Sequence, residues 1–279
     1  MNSNVQDQRS AIESMGLDQS RRNIEGWLSA PDPSTNYNKA KQQRLESTGL
    51  WFLESDTYTR WKTQGNSILW LHGMAGCGKT ILSSTIIDDL TTHPHGTVIY
   101  FYFDFSDVRK QTFGDMIRSL VRQLFYRCES ARSHLELLYS SHEAGRRQPS
   151  HQSLCQTFSK MIESADDVCI VLDALDECHT RKGSETEGLL SWIGHLIGSS
   201  HQNVHFIATS RSEHDIESKF GDLVSENGVI PLQSNLVHDD IKNYVHTRVK
   251  EDARLERWRG RPEVQEEIEK ELVQKADGM

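Results

Sequence analysis

The sequence predicts an α/β fold, a three-layer sandwich in which helices cover both faces of a mainly parallel five-stranded sheet. Three observations carry this. Apolar runs rich in β-branched and aromatic residues alternate with segments of helical periodicity, and such alternation implies right-handed crossovers between parallel strands. The run Val168-Cys169-Ile170-Val171-Leu172 is apolar without a break, as in a strand buried on both faces. The first strand, in turn, leads directly into a glycine-rich loop and a helix, a succession that binds phosphate.

Taken in order, Ile12, Met15, Leu17, Ile24, Trp27 and Leu28 stand among polar residues, a pattern of one or two docked helices ending at Pro31-Asp32-Pro33. Asn38 to Glu46 reads as a short helix or extended piece, so residues 1–47 form an N-terminal arm. Thr48 to Leu53 and Tyr58 to Trp61 place several aromatics before the first strand. They either cover the edge of the sheet or, around Thr48 to Trp51, pack beside a nucleotide base. The strands are Ser67 to His72, Thr97 to Phe105, Val168 to Leu172, Val204 to Thr209 and Gly228 to Leu232, where Pro231 suits an edge. Between them run helices over Ile81 to Leu90, Thr112 to Cys128, Ala131 to Tyr139, Gln152 to Ser164 and Leu189 to Ile197. The core thus covers residues 48–235. A helix from His238, capped by Asn235 or Asp239, and another from Pro262 with Val264, Ile268, Leu272 and Ala276 on one face, open a C-terminal helical region over 236–279. That region lacks a finishing element at Asp277-Gly278-Met279 and reads as truncated.

Composition narrows the function. The 279 residues are 36% hydrophobic and 25% charged, which suits a soluble globular protein, and the net charge of −9 speaks against broad nucleic-acid or anionic-membrane binding. Neither a membrane span nor a signal peptide is readable, so a cytoplasmic location is expected. The cysteines Cys77, Cys128, Cys155, Cys169 and Cys178 include no C-x-x-C pair and are expected reduced and mostly buried. His93-Pro94-His95 and Cys178-His179 lack zinc-site spacing.

The chemistry concentrates at two stretches. Gly73-Met74-Ala75-Gly76-Cys77-Gly78-Lys79-Thr80 is the G-x-x-x-x-G-K-T phosphate loop, whose backbone N–H groups cradle a polyphosphate. Lys79 is placed to reach the β- and γ-phosphates, Thr80 to ligate Mg²⁺, and the following helix turns its positive end to the same point. Asp173, at the tip of a buried strand, can hold the same Mg²⁺ through its water shell. Asp176 and Glu177 follow one loop turn later, and either could polarise a water for attack on the γ-phosphate. Arg211 closes the fourth strand, where a cation meets developing negative charge. The base is adenine by elimination, since no Asn-Lys-x-Asp run follows the loop.

The phosphate loop, Leu172-Asp173-Ala174-Leu175-Asp176-Glu177-Cys178 and Ala208-Thr209-Ser210-Arg211 together resemble a NACHT domain of the STAND class of signalling NTPases, in its nephrocystin 3-like N-terminal form. The resemblance covers residues 24–279. It implies strand order 5-1-4-3-2, binding of ATP with Mg²⁺, slow hydrolysis that resets a switch, and self-association through the NTPase domain. It also implies effector and sensor domains outside this chain. By matching position it makes Lys79 and Thr80 the phosphate and Mg²⁺ residues, Asp173 the Mg²⁺ aspartate, Asp176 and Glu177 the paired acids and Arg211 the first sensor. Ala174 departs from the glycine of many relatives. Two other readings stand beside a signalling ATPase: a small-molecule kinase, and a scaffold that binds ATP with little turnover. The Asp176-Glu177 pair, suited to activating water, and the lack of an Arg-rich lid weigh against the kinase.

Overall fold

The structure, a computed structural model, describes residues 16, 18–93, 96–199, 201–232 and 234–276. The expectations at Ile12, Met15, Leu17, Pro94, His95 and Asp277 to Met279 lie outside the described residues. Five strands, β1 Ser67–His72, β2 Thr97–Tyr102, β3 Val168–Asp173, β4 Val204–Ser210 and β5 Val229–Pro231, form one sheet in the order β2-β3-β4-β1-β5. All neighbours are parallel, and read from the other edge the order is 5-1-4-3-2, as expected. Helical connections long enough for crossovers separate the strands, which is what parallel pairing requires.

The helices are α1 (residues 18–28), α2 Ser34–Gln43, α3 Leu50–Leu53, α4 Asp56–Thr63, α5 Lys79–Thr92, α6 Phe113–Arg127, α7 Arg132–Ser141, α8 His151–Glu163, α9 Leu189–Gly198, α10 His214–Leu223, α11 Ser234–Glu251 and α12 Pro262–Ala276. Because strand side chains alternate, the sheet feeds two cores. Ile99, Phe101, Ile170, Leu172 and Phe206 pack under α1 and α6 to α10. Leu69, Leu71, Val98, Val171 and Ile207 pack under α3, α4 and α5. Most of the aromatics upstream of β1 belong to this second core: Phe52, Tyr58 and Trp61 are buried there, as the edge-covering reading expects.

The arm touches both layers. Trp27 of α1 is buried in the first core and donates from Nε1 to the Arg147 carbonyl at 2.7 Å. On the opposite face α2 lies along α5, where Asp88 accepts from Tyr37, from Lys41 at 2.9 Å and from Arg44 at 2.5 Å.

Three element ends and one whole helix differ from expectation. Strand β2 ends at Tyr102 rather than Phe105, because its partner β3 ends at Asp173 opposite Tyr102, and Phe103 to Phe105 enter the loop before α6. Helix α2 begins at Ser34 rather than Asn38. Pro33 sits at its N-cap, where the missing N–H costs nothing, and Asp32 Oδ1 accepts the Ser34 N–H at 2.9 Å. Helix α11 starts at Ser234, so Asn235 and Asp239 fall inside it instead of capping it. Helix α10 has no counterpart in the sequence reading, because only Ile216 and Phe220 of its residues are buried and so sparse a stripe gives little periodicity. The five cysteines are free and buried. No helix among the described residues is long and apolar enough to cross a membrane.

Phe158 of α8 is fully buried and its ring centroid lies 5.6 Å from that of Trp192 on α9. Phe158→Ala is expected to cost about 3–5 kcal/mol. Urea unfolding should show a lower midpoint at unchanged slope.

Candidate functional site

The order of the sheet brings the carboxyl ends of β1, β4 and β3 side by side. Ligands of such sheets lie beyond these ends. From β1 the chain enters the loop Gly73 to Gly78 and then α5. Gly76 and Gly78 adopt left-handed backbone with φ of 82° and 89°, and a Cβ at either would meet nothing within 4 Å. That is a strained conformation for other residues around an open hollow. Lys79 folds back over the loop and donates from Nζ to the Gly73 carbonyl at 2.8 Å and the Met74 carbonyl at 2.7 Å.

Asp173 stands at the end of β3, 2% exposed. Three hydroxyls donate to it at 2.7 Å: Thr80 to Oδ2, and Ser83 and Thr209 to Oδ1. Thr80 and Ser83 lie one helical turn apart on the face of α5 that meets β3. Burial pushes the Asp173 carboxyl above the ordinary range, while the three hydroxyls and the nearby Lys79 ammonium oppose that rise.

The paired acids separate. The Asp176 side chain is 3% exposed and fully engaged with Arg211, taking its backbone N–H on Oδ1 at 2.9 Å and its Nε on Oδ2 at 2.9 Å. Arg181 reinforces this turn by donating to the Asp176 carbonyl, and it pairs with Glu213 at 2.5 Å and Asp215 at 3.2 Å. Glu177 is half-buried and accepts the Phe105 N–H on Oε2 at 2.8 Å. Burial raises its pKa, and the carboxylates of Asp176, Asp104 and Asp173 add to the rise, against the Phe105 N–H, which lowers it.

All the expected residues therefore meet at one edge, but in two groups. Lys79, Thr80 and Asp173 lie at the loop, while Asp176 and Arg211 bind each other beside Glu177. Ser83, Thr209 and Arg181 had no role in the sequence reading. Helical spacing from Thr80 could have pointed to Ser83, whereas no local signal marks Arg181 or Thr209.

A cavity of about 450 Å³ adjoins the loop. Its walls come from Gly49 and Trp51, from Gly78 and Ile81, and from Tyr244 and Val245 of α11. Asp240 of α11 accepts the Gly49 N–H at 2.9 Å and the Trp51 Nε1–H at 3.2 Å, closing the segment before β1 against the helix. A larger open groove, about 770 Å³, lies over α9 and Lys219 and contains none of the loop residues.

The residues present fit a Mg-nucleotide. The open glycine hollow suits a polyphosphate, and a hydroxyl beside a carboxylate is an oxygen-only donor set that suits Mg²⁺. Thr80 and Asp173 could hold the metal, the loop and Lys79 the phosphates, and the adjoining cavity a base.

Two predictions follow from this geometry. The folded pKa of Asp173 lies above its unfolded value, so the native state keeps the proton longer and stability falls as pH rises through that interval. Asp173→Asn, which can keep the hydroxyl contacts, should therefore unfold at higher temperature than the wild type at pH 8, with the difference closing in acid. Ala174 holds left-handed backbone, φ 58° and ψ 53°. Ala174→Val should lose about 2 kcal/mol in urea unfolding, because β-branching worsens that conformation, whereas Ala174→Gly should stay within about 0.5 kcal/mol of the wild type.

The family described as Nephrocystin 3, N-terminal matches residues 47–211. Vegetative incompatibility protein HET-E-1 of Podospora anserina is 27% identical over 188 residues, which is 64% of this chain and 13% of that protein. This chain thus spans a small part of that relative. Among solved structures, the Walker-type ATPase PABY2304 of Pyrococcus abyssi is similar with a TM-score of 0.46 at 14% identity, over 84% of this chain and 68% of that one. Cdc6p of Pyrobaculum aerophilum follows with a TM-score of 0.42 at 13% identity, over 67% and 45%. Likenesses of this extent carry no inference about activity. The match over most of the sheet and its phosphate loop does place the chain: it belongs to the nephrocystin 3 N-terminal family and is a P-loop NTPase module of the NACHT type.

Proposed function

We propose that this chain binds Mg-ATP, hydrolyses it slowly, and uses the bound nucleotide to control its own assembly or the activity of an effector domain elsewhere in a longer protein. The observation that carries the reading is the contact of Thr80 with buried Asp173 directly below the glycine hollow, with Glu177 held apart from it.

Each residue has a distinct part. Lys79 exchanges two neutral carbonyls for anionic phosphate oxygens, a stronger charge-assisted pairing. Bound Mg²⁺ supplies charge neutralisation at those oxygens. Thr80 and Asp173 hold it, and Ser83 and Thr209 fix the Asp173 carboxylate from the side away from Thr80. Of the paired acids, Glu177 is the one to orient and polarise water. Its Oε1 is left for that purpose while Oε2 rests on the Phe105 N–H, whereas both oxygens of Asp176 are spent on Arg211. Arg211 must exchange Asp176 for a phosphate oxygen before it can stabilise developing charge, and this supports slow turnover. The mainly apolar cavity beside the loop is suited to adenine. Its walls join the arm to α11, so occupancy would tighten the contact between segments far apart in sequence, as a switch requires.

Equilibrium titration with labelled ATP and GTP, paired with phosphate release in the absence of an acceptor, tests the reading. ATP is expected to bind in preference to GTP, with Mg²⁺, and Lys79→Ala to abolish binding; unchanged binding in that variant would sink the site assignment. Glu177→Gln should keep ATP affinity while phosphate release falls about 10²–10³-fold. Turnover that survives in Glu177→Gln but not in Asp176→Asn would exchange the two roles.

A further inference from the structure

Phe105, whose N–H orients Glu177, is 74% exposed, so packing does little to keep it in place. Polar grips on the loop between β2 and α6 hold its backbone, among them the Ser106 N–H and hydroxyl on Asp104 Oδ1, and they converge from two directions. From within the loop, the Gln111 side chain donates to the Phe105 carbonyl at 2.6 Å and the Asp104 carbonyl at 3.3 Å. Gln111 is itself tied to the strand-end turn that carries Glu177, since its carbonyl accepts the His179 N–H at 2.8 Å. From outside, the first turn of α2 reaches across. Asn36 donates from Nδ2 to Asp104 Oδ2 at 2.8 Å and accepts from Lys110 Nζ on Oδ1 at 2.5 Å. Lys110 is 4% exposed and also donates to the Thr35 hydroxyl at 2.7 Å, with Asp107 as its counter-ion at 3.5 Å. A buried ammonium is costly unless fully paired, so these partners are not interchangeable with water.

We infer that Asn36, Lys110 and Gln111 are positioning residues for Glu177, and that the N-terminal arm, through α2, sets the geometry of the water-activating carboxylate. The inference rests on the reading of Glu177 given above. Loss of Asn36 leaves Asp104 Oδ2 without this donor and Asp104 held from within the loop alone, by Ser106 on Oδ1 and by its own N–H on the Lys110 carbonyl. The Phe105 N–H then shifts on Oε2, and Glu177 loses orientation and part of the contact that favours its charged form. The other charged groups that raise its pKa, Asp176, Asp104 and Asp173, then act on it with less opposition. Nucleotide binding does not pass through this path, because α5, the helix that follows the phosphate loop, is held by separate contacts of Tyr37, Lys41 and Arg44 with Asp88.

The test uses the full chain labelled with ¹⁵N-phenylalanine, with Asn36→Ala and Gln111→Leu as variants and the exposed α2 residue Asn38→Ala as control. In the wild type the Phe105 amide signal should shift with pH as Glu177 titrates, and Glu177→Gln should remove that response. In Asn36→Ala and Gln111→Leu the response should shrink and its midpoint move to higher pH. Phosphate release should fall about tenfold with ATP affinity within about twofold of wild type, the pattern of a displaced catalytic group. The control should match the wild type in all three readings. A Phe105 amide that titrates as in the wild type in both variants overturns the inference, whatever the turnover. Turnover that is indifferent to Glu177→Gln overturns the functional reading instead, while the amide response still decides whether the arm positions this carboxylate.

Discussion

Asp173 is a carboxylate buried at the tip of β3 with no ion pair among the described residues, and its tolerance there depends on three hydroxyls arriving from α5 and β4. A buried anion demands satisfied lone pairs, and each donor fixes the element that bears it. Thr80 and Ser83 set the rotation of α5 about its axis, which in turn sets where the glycine loop opens. Thr209 locks the end of β4 beside β3, and it also accepts the Ala174 N–H at 3.1 Å, which holds the turn leading to Asp176 and Glu177. The phosphate cradle, the sheet edge and the acidic turn are thus oriented through one side chain.

That arrangement carries a thermodynamic cost, which the proposed cation site would offset. Burial raises the proton affinity of Asp173, so its ionised form is held against the preference of the fold. A site that binds a divalent cation recovers this cost on binding, and a fold that held its carboxylate more comfortably would bind the cation less tightly. The Asp176–Arg211 pair shows the opposite arrangement, a carboxylate already satisfied by its neighbours and correspondingly unavailable.

What the sequence made legible was local. The unbroken apolar run Val168 to Leu172 marked β3, and the spacing of glycines with Lys79 and Thr80 marked the loop, because each rests on residues a few positions apart. The difference between Asp176 and Glu177 was not legible, since it depends on Arg211 and on the Phe105 backbone, brought in from other strand ends. Ser83 and Thr209 look like any other hydroxyl residues until the register of β1, β3 and β4 sets Asp173 between them. Of the aromatics before β1, Phe52, Tyr58 and Trp61 line the core as the edge-covering reading expects, while Trp51 packs against that core and lines the cavity by the loop. Proline signals misled at α2, where Pro33 starts a helix that a breaker reading placed later.

The cavity beside the loop is walled by residues far apart along the chain, and the contact that closes it joins Gly49 to Asp240, 191 positions later. During synthesis the phosphate loop and its strand are complete long before α11 leaves the ribosome. At ordinary elongation rates the interval is about 10–40 s. For most of that period the cradle is unbuilt too, because β1 lies between β4 and β5 in the sheet and the start of α5 is held by Asp173 of β3. On the reading proposed above, a whole nucleotide is gripped only once α11 has joined the segment before β1 through Asp240.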